Sequence, residues 1–162
     1  MNVTKRLAAV FTALALSAPT GPLAAPPSNP VGTLTITAPF GSSPVLAWSW
    51  GASNSITQAG GGGGAGKATV QDLALTRYAD GQSPLFFNAV ARGQHLAKVV
   101  LVDGSTTITL TEVVVTSYST GDSSPEGKAT TRIENITFGF GAMTYTVNGV
   151  TTCFSPSTQS SC

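Results

Sequence analysis

The sequence predicts a mainly β fold: a tight β-barrel of two antiparallel sheets with one short α-helix, or a β-sandwich as the alternative. Two observations support this class. From residue 33 to residue 147, short runs rich in β-branched and aromatic residues are separated by glycine and other turn residues, as in all-β domains. Only one segment spaces its apolar residues as a helix does. Closing the strands into a barrel would bury them and remove exposed edges.

The first 25 residues are predicted to be a secretory signal peptide. Lys5 and Arg6 form a short basic segment, and residues 7–16 are an uncharged apolar run. Small residues and prolines follow, with Ala24 or Ala25 as the expected cleavage point. This order is typical of an export signal. The apolar run is too short to span a bilayer, which takes about 20 residues.

Cleavage would leave a Pro-rich spacer over residues 26–32, one domain over 33–148 and a tail over 149–162. The full chain has eight basic and seven acidic residues, for a net charge of +1. Two of the basic residues belong to the signal peptide, so the mature chain carries a formal charge of −1. This balance argues against a nucleic acid or an anionic membrane as a partner. No later apolar stretch reaches membrane-spanning length.

Three strands are predicted in the first half of the domain, over residues 33–37, 46–50 and 69–77. The run TLTIT from Thr33 alternates polar and apolar residues, which is typical of a half-buried strand. In the second strand Trp48 and Trp50 lie on one face. Residues 59–67 are nearly all glycine, so we predict a mobile loop there, since glycine offers no side chain to pack.

The helix is predicted to begin at Ser83, whose side chain would cap it, with Pro84 in the first position and Gly93 just past its end. Between them, apolar residues recur at helical spacing: Leu85, Phe86, Ala89 and Val90. A helix of about nine residues is marginal alone, so tertiary packing must hold it.

The second half of the domain contains four more predicted strands, over residues 96–102, 108–118, 128–140 and 143–147. The first two should pair through the turn at residues 103–105, and the last two should form a hairpin. Leu110 and Val113 lie in opposite phases of one strand. A β-bulge near Glu112, or burial of both faces, would reconcile them.

The two cysteines, Cys153 and Cys162, both lie in the polar tail. Export permits a disulfide, and a bridge here would hold an end of the chain that otherwise frays. We predict this disulfide; two free thiols are the alternative.

Catalytic patterns are sparse. His95 is the only histidine, and Asp80 and Ser83 lie near it in sequence, but residues 81–85 (GQSPL) lack the second glycine of a nucleophile elbow. The run GGGGAGK at residues 61–67 begins like a phosphate-binding loop. However, Ala68 stands where a serine or threonine would bind magnesium, and a strand follows where a helix is needed. We expect no catalytic residue, no cofactor and no metal site.

Five segments, taken in order, carry a family resemblance: residues 49–54 (SWGASN), 70–76 (VQDLALT), 80–96 (DGQSPLFFNAVARGQHL), 108–119 (ITLTEVVVTSYS) and 132–145. Together they resemble the Hcp family, the haemolysin-coregulated tube proteins of type VI secretion systems. The resemblance spans residues 46–147. It implies a β-barrel with one helix at its side, a homo-hexameric ring that stacks into a tube, and a lumen that holds small cargo proteins. It implies neither catalysis nor a cofactor.

The resemblance also indicates which segments would make assembly contacts. One is the loop between residues 53 and 67, and the other is the helix. The candidate residues are Ser53, Asn54, Lys67, Phe86 and Phe87. Helical spacing alone does not say which phenylalanine faces the barrel and which faces a neighbour.

Two functions remain open at this stage. The first is a structural subunit that forms hexameric rings and carries cargo. The second is an exported, stand-alone Hcp-like binding module that is not part of a tube. The signal peptide supports the second, because tube subunits of this family assemble in the cytoplasm. For either function, the signal peptide predicts a location in the periplasm or outside the cell.

Overall fold

The computed structural model describes residues 29–56, 65–123 and 131–162. Within these ranges the chain forms eleven strands and one helix. The strands are β1 (Gly32–Ile36), β2 (Gly41–Val45), β3 (Ala47–Ser49), β4 (Ala52–Ile56), β5 (Ala65–Val70), β6 (Leu73–Tyr78), β7 (His95–Asp103), β8 (Thr106–Ser123), β9 (Thr131–Gly139), β10 (Ala142–Val147) and β11 (Val150–Phe154), and the helix α1 (Ser83–Arg92) lies between β6 and β7. The predicted mainly β class, with two antiparallel sheets and one helix, is confirmed.

The larger sheet curls back on itself. Its hydrogen-bonded path runs β2-β1-β7-β8-β9-β6-β3. The strands at its two ends, β2 and β3, are consecutive in the chain and are separated only by Leu46. The N–H of Leu46 donates to the carbonyl oxygen of Thr76 at 2.8 Å. The predicted barrel is therefore not closed by hydrogen bonds: β2 and β3 form no ladder with each other, and the chain passes from one edge of the sheet to the other at Leu46.

The predicted hairpin between β9 and β10 is wrong. Both strands instead pair with β8, β10 along its first part and β9 along its second. The N–H of Gly141 lies 3.0 Å from the carbonyl oxygen of Thr111, so the chain continues along β8 where a turn was expected. The reversal comes later, at Asn148 and Gly149, whose positive φ values of 49° and 80° suit a two-residue hairpin turn. That turn leads into β11, a strand that the sequence analysis placed in the tail.

The predicted pairing of β7 with β8 is confirmed, whereas the β-bulge predicted near Glu112 lies further along β8. Glu112 has a φ of 52°, and the buried face of β8 changes phase there between Leu110 and Val113. β7 changes phase opposite this point, since Ala97 and Lys98 are both exposed. The register between the two strands is therefore kept, and the bulge lies on the β9 side, between Val115 and Ser117.

Two further boundaries differ from prediction. The strand predicted over residues 69–77 is interrupted at Gln71 and Asp72, where the register towards the preceding strand shifts by one residue: Ala52 lies opposite Val70, but Ser49 lies opposite Ala74. The strands β4 and β5 consequently form a separate two-stranded ladder, here called the arm. Residues 65–67, predicted as loop, belong to β5; the other residues of the glycine loop lie outside the described residues.

The helix is held by packing, as its length requires. Phe86 and Ala89 are buried in the core between the strands. Gly93 ends the helix with a φ of 59°, as predicted. The predicted cap is wrong, because Ser83 is already helical and its Oγ accepts a hydrogen bond from the N–H of Asp80 at 2.9 Å.

The C-terminal segment is closed by the predicted disulfide. Cys153 and Cys162 are bonded, with their Cα atoms 5.3 Å apart. The predicted signal peptide lies outside the described residues, as does the first part of the spacer. None of the helices in the described part of the chain is long and apolar enough to cross a membrane.

Candidate assembly site

A buried ion pair lies beneath the helix. In β6 the side chains of Leu73, Leu75 and Arg77 face the core in turn, so a charged group takes an interior position. Glu134 of β9 is its direct neighbour across the ladder. Both side chains are 0 % exposed, and Arg77 Nε lies 2.7 Å from Glu134 Oε1. A buried charge without partners would be strongly destabilising.

Each end of the Arg77 guanidinium has a partner. Nη1 donates to Ser43 Oγ at 2.6 Å, and Nη2 donates to the carboxylate of Asp80. Its carbon also lies 5.2 Å from the centre of the Phe86 ring, a cation–π distance. Arg77 thus connects β2, the turn before α1 and the inner face of α1, and it fixes the helix on the barrel.

Glu134 extends this cluster towards the surface. Tyr118 Oη donates to Glu134 Oε2 at 3.0 Å. Burial raises the pKa of Tyr118 above its ordinary value, and the adjacent Glu134 carboxylate raises it further. The Tyr118 ring then meets Phe87 edge to face, with the ring centres 6.5 Å apart. The buried polar cluster therefore ends at an aromatic side chain on the outside of the helix.

Of the two candidate phenylalanines, only Phe87 is available to a neighbour. It is 64 % exposed, whereas Phe86 is 0 % exposed and packs against Phe40 at 4.9 Å and Phe138 at 6.3 Å. The expectation that Phe86 could make an assembly contact is therefore wrong. Phe87 stands beside an open groove of about 750 Å³ that Arg132 also lines.

The arm carries the other three candidate residues. Ser53 and Asn54 on β4 and Lys67 on β5 are all exposed. They are not brought together with Phe87. The base of the arm adjoins Trp50, whose ring meets Tyr145 at 5.2 Å, and Tyr145 pairs with Ile108 near the start of β8. Tyr118 lies ten residues further along β8, roughly 30 Å at the rise of a β-strand.

An apolar pocket, which the sequence analysis did not predict, lies between the arm and the β10–β11 hairpin. Its volume is about 190 Å³. Aromatic side chains form one wall, and small residues of the arm form the other. The main lining residues are Trp50, Ala68, Val70, Met143, Tyr145 and Phe154. The sequence signal was the alternation of Met143 with Tyr145, but its partner strand β11 was not recognised.

The catalytic patterns considered from sequence are not assembled. Asp80 and Ser83 lie together in the groove beside Phe87, while His95 lines a different depression with Thr111 and Glu112. The end of the glycine run leads into strand β5, not into a helix. Among residues 29–56, 65–123 and 131–162, no three His, Cys, Asp or Glu side chains cluster as metal ligands would.

Comparison with known proteins gives the family. The model of "Type VI secretion system effector, Hcp" matches residues 32–147, which include every strand from β1 to β10. The chain belongs to the Hcp family. The resemblance seen in five sequence segments is therefore confirmed.

Individual relatives agree with this assignment. Protein hcp1 of Pseudomonas aeruginosa is 43% identical over 83 residues, which are 46% of this chain and 49% of that protein. The match thus spans about half the length of this curated relative. Among solved structures, a type six secretion system protein has a TM-score of 0.69 at 22% identity, covering 82% of this chain and 99% of its own. Hcp1 of Salmonella typhimurium has a TM-score of 0.66 at 21% identity, with coverages of 81% and 98%. These two structures establish the Hcp fold.

Proposed function

We propose that this protein is a non-enzymatic Hcp subunit that assembles into homo-hexameric rings and holds a small cargo protein in the ring lumen. The observation that carries the proposal is the family match over residues 32–147. The match includes every strand from β1 to β10 and the helix.

The helix surface supports assembly. Phe87 exposes most of its ring to water, although aromatic side chains contribute most when buried. Its ring contacts Tyr118 edge to face, and the Tyr118 hydroxyl donates to Glu134 of the buried ion pair. An exposed aromatic group on a rigid support is the kind of anchor that dominates binding at protein interfaces.

The subunit is proposed to act after export, in the periplasm or outside the cell. Residues 1–25 would be removed as a signal peptide, leaving the spacer at 26–32, the Hcp domain at 33–148 and the tail at 149–162. The Cys153–Cys162 disulfide supports this location, because disulfides persist in oxidising compartments.

The second candidate is a stand-alone binding module that acts as a monomer. The apolar pocket of about 190 Å³ favours it, since ligand sites are concave and largely apolar. In this case the pocket would take a small apolar ligand, and no ring would form.

Light scattering on the exported, oxidised protein separates the two candidates. A ring subunit should give the mass of six chains across a range of concentrations. A one-chain mass at the highest concentration would reject the ring and favour the binding module. N-terminal sequencing of the same sample should begin near residue 26; an intact Met1 would reject the signal peptide.

A further inference from the structure

The last strand, β11, is weakly held by its own side chains. Among the strands that the structure describes it pairs with β10 alone, from Val147 opposite Val150 to Met143 opposite Phe154. Its first three residues are exposed, Val150 at 77 %, and the other two are only half-buried. A segment with few buried apolar contacts opens more easily than the core of a protein. The position of β11 therefore depends on what holds its two ends.

The hairpin turn holds one end of β11, and a disulfide loop holds the other. The bond between Cys153 and Cys162 closes the intervening chain into a loop, and this loop with its two cysteines is here called the clasp. Within the clasp, the N–H of Ser155 donates to the carbonyl oxygen of Ser160 at 2.9 Å. Ser155 Oγ also donates to the carbonyl oxygen of Gly141 at 3.0 Å, just before β10 begins. The clasp thus connects the end of β11 to the start of β10.

The disulfide acts by ordering the clasp. Both cysteines lie after β10, so the bond adds no covalent link between the clasp and the rest of the barrel. A closed loop has fewer conformations when it is released, and seating it on β10 therefore costs less entropy. The two cysteines are separated by nine positions, and for a loop of this length the loss of the bond favours the released form by up to about 100-fold.

The position of β11 also decides whether the apolar pocket is complete. Thr152 and Phe154 of β11 line the pocket between the arm and the β10–β11 hairpin. Release of β11 would remove these two side chains from the wall. It would also leave one edge of β10 unpaired, because β8 occupies only the other edge. Unpaired strand edges pair readily with other chains, so the seated strand both forms the pocket and covers the sheet.

We propose that the Cys153–Cys162 bond is a redox-dependent clasp that seats β11 on β10 and completes the apolar pocket only in an oxidising compartment. The proposal rests on the export proposed above. To form the bond, one cysteine thiolate attacks the disulfide of an oxidised dithiol carrier, and the second cysteine thiolate displaces the carrier from the mixed disulfide. The two thiols of the chain lose two electrons and two protons, and the carrier leaves as two thiols. A dithiol reductant reverses both steps.

Hydrogen exchange measured by mass spectrometry tests the clasp, with the exported protein compared before and after a dithiol reductant. Reduction should speed exchange in peptides that cover β10 and β11 by about ten-fold or more, while peptides of β6 and β7 keep their rates. The variant Cys153→Ser/Cys162→Ser should match the reduced wild type and ignore the reductant. Ser155→Ala should also speed exchange in β11 with the bond intact, because it removes the contact with Gly141. Ser161→Ala makes the same change at an exposed serine of the clasp and should keep the wild-type rates.

Fluorescence quenching reports on the pocket itself. The chain has two tryptophans, so Trp48→Phe leaves Trp50, which lines the pocket together with Phe154, as the one emitter. Reduction should raise the quenching of Trp50 by acrylamide, because the β11 side of the wall is lost. The same variant without the two cysteines should show the raised quenching with or without reductant.

The outcomes separate this proposal from the ring. Equal protection of β11 in the oxidised and reduced protein rejects the clasp, as does faster exchange spread evenly over β6, β7 and β11. Unchanged quenching of Trp50 with faster exchange in β11 rejects the completion of the pocket. Light scattering on the same samples tests the ring separately: a one-chain protein rejects the ring, and the exchange measurement still decides the clasp.

Discussion

Replacing Glu134 by glutamine should destabilise the fold strongly although the side chain keeps its shape. Glu134 is 0 % exposed and contacts Arg77 at 2.7 Å and Tyr118 at 3.0 Å. Removing one partner of a buried pair costs about 3–5 kcal/mol. We expect about 3 kcal/mol, because Asp80 still contacts Arg77 and glutamine can still accept the hydrogen bond of Tyr118.

Urea unfolding monitored by circular dichroism measures this loss, and an unchanged slope shows that the unfolding reaction is the same. Glu112→Gln is the matched control: it makes the same change at an exposed site, and we expect a shift within about 0.5 kcal/mol.

The double variant Arg77→Met/Glu134→Leu tests the cause. It buries no charge, so its loss should be smaller than the sum of the losses of the two single variants. A Glu134→Gln loss below about 1 kcal/mol, or a double variant that equals that sum, would refute the interpretation of the cluster as a coupled anchor of the helix.

Three further results are expected. The pKa of Tyr118 should lie above its ordinary value of 10, and the unfolding free energy should fall as the pH rises from 10 through that raised pKa, because the folded state favours the neutral phenol. Ultraviolet titration of the wild type against Tyr118→Phe measures the pKa of Tyr118, and Glu134→Gln should lower that pKa. Reducing the Cys153–Cys162 bridge should lower the unfolding free energy by about 2–3 kcal/mol, and alkylation of both thiols without a reductant would contradict the bridge. Glu112→Gly should raise the unfolding free energy by about 1 kcal/mol by relieving the positive φ; a loss in urea unfolding would contradict this.

The elements that were predicted correctly are those that depend only on residues close together in the sequence. Alternation from Thr33 marked β1, and the turn at residues 103–105 marked the β7–β8 hairpin. Gly93 marked the end of the helix. The β9–β10 hairpin failed for the opposite reason. The glycines between these strands suggested a turn, but the hydrogen bond from Gly141 to Thr111 of β8 keeps the chain extended. Local turn residues do not predict the pairing of strands that are distant in sequence.

The candidate site was only partly predictable for the same reason. Phe86 and Phe87 are adjacent, and only the packing of Phe86 against Phe40 shows which one is inside. Arg77 follows the phase of Leu75 in β6, so its burial could have been inferred. Its partner Glu134 could not, because that contact depends on the register between β6 and β9.

Direct imaging of the exported protein tests the ring most directly. Single-particle electron microscopy of the oxidised protein should show six-fold rings with an open centre in face view. Particles of one subunit, or rings with another number of subunits, would contradict the proposed homo-hexamer.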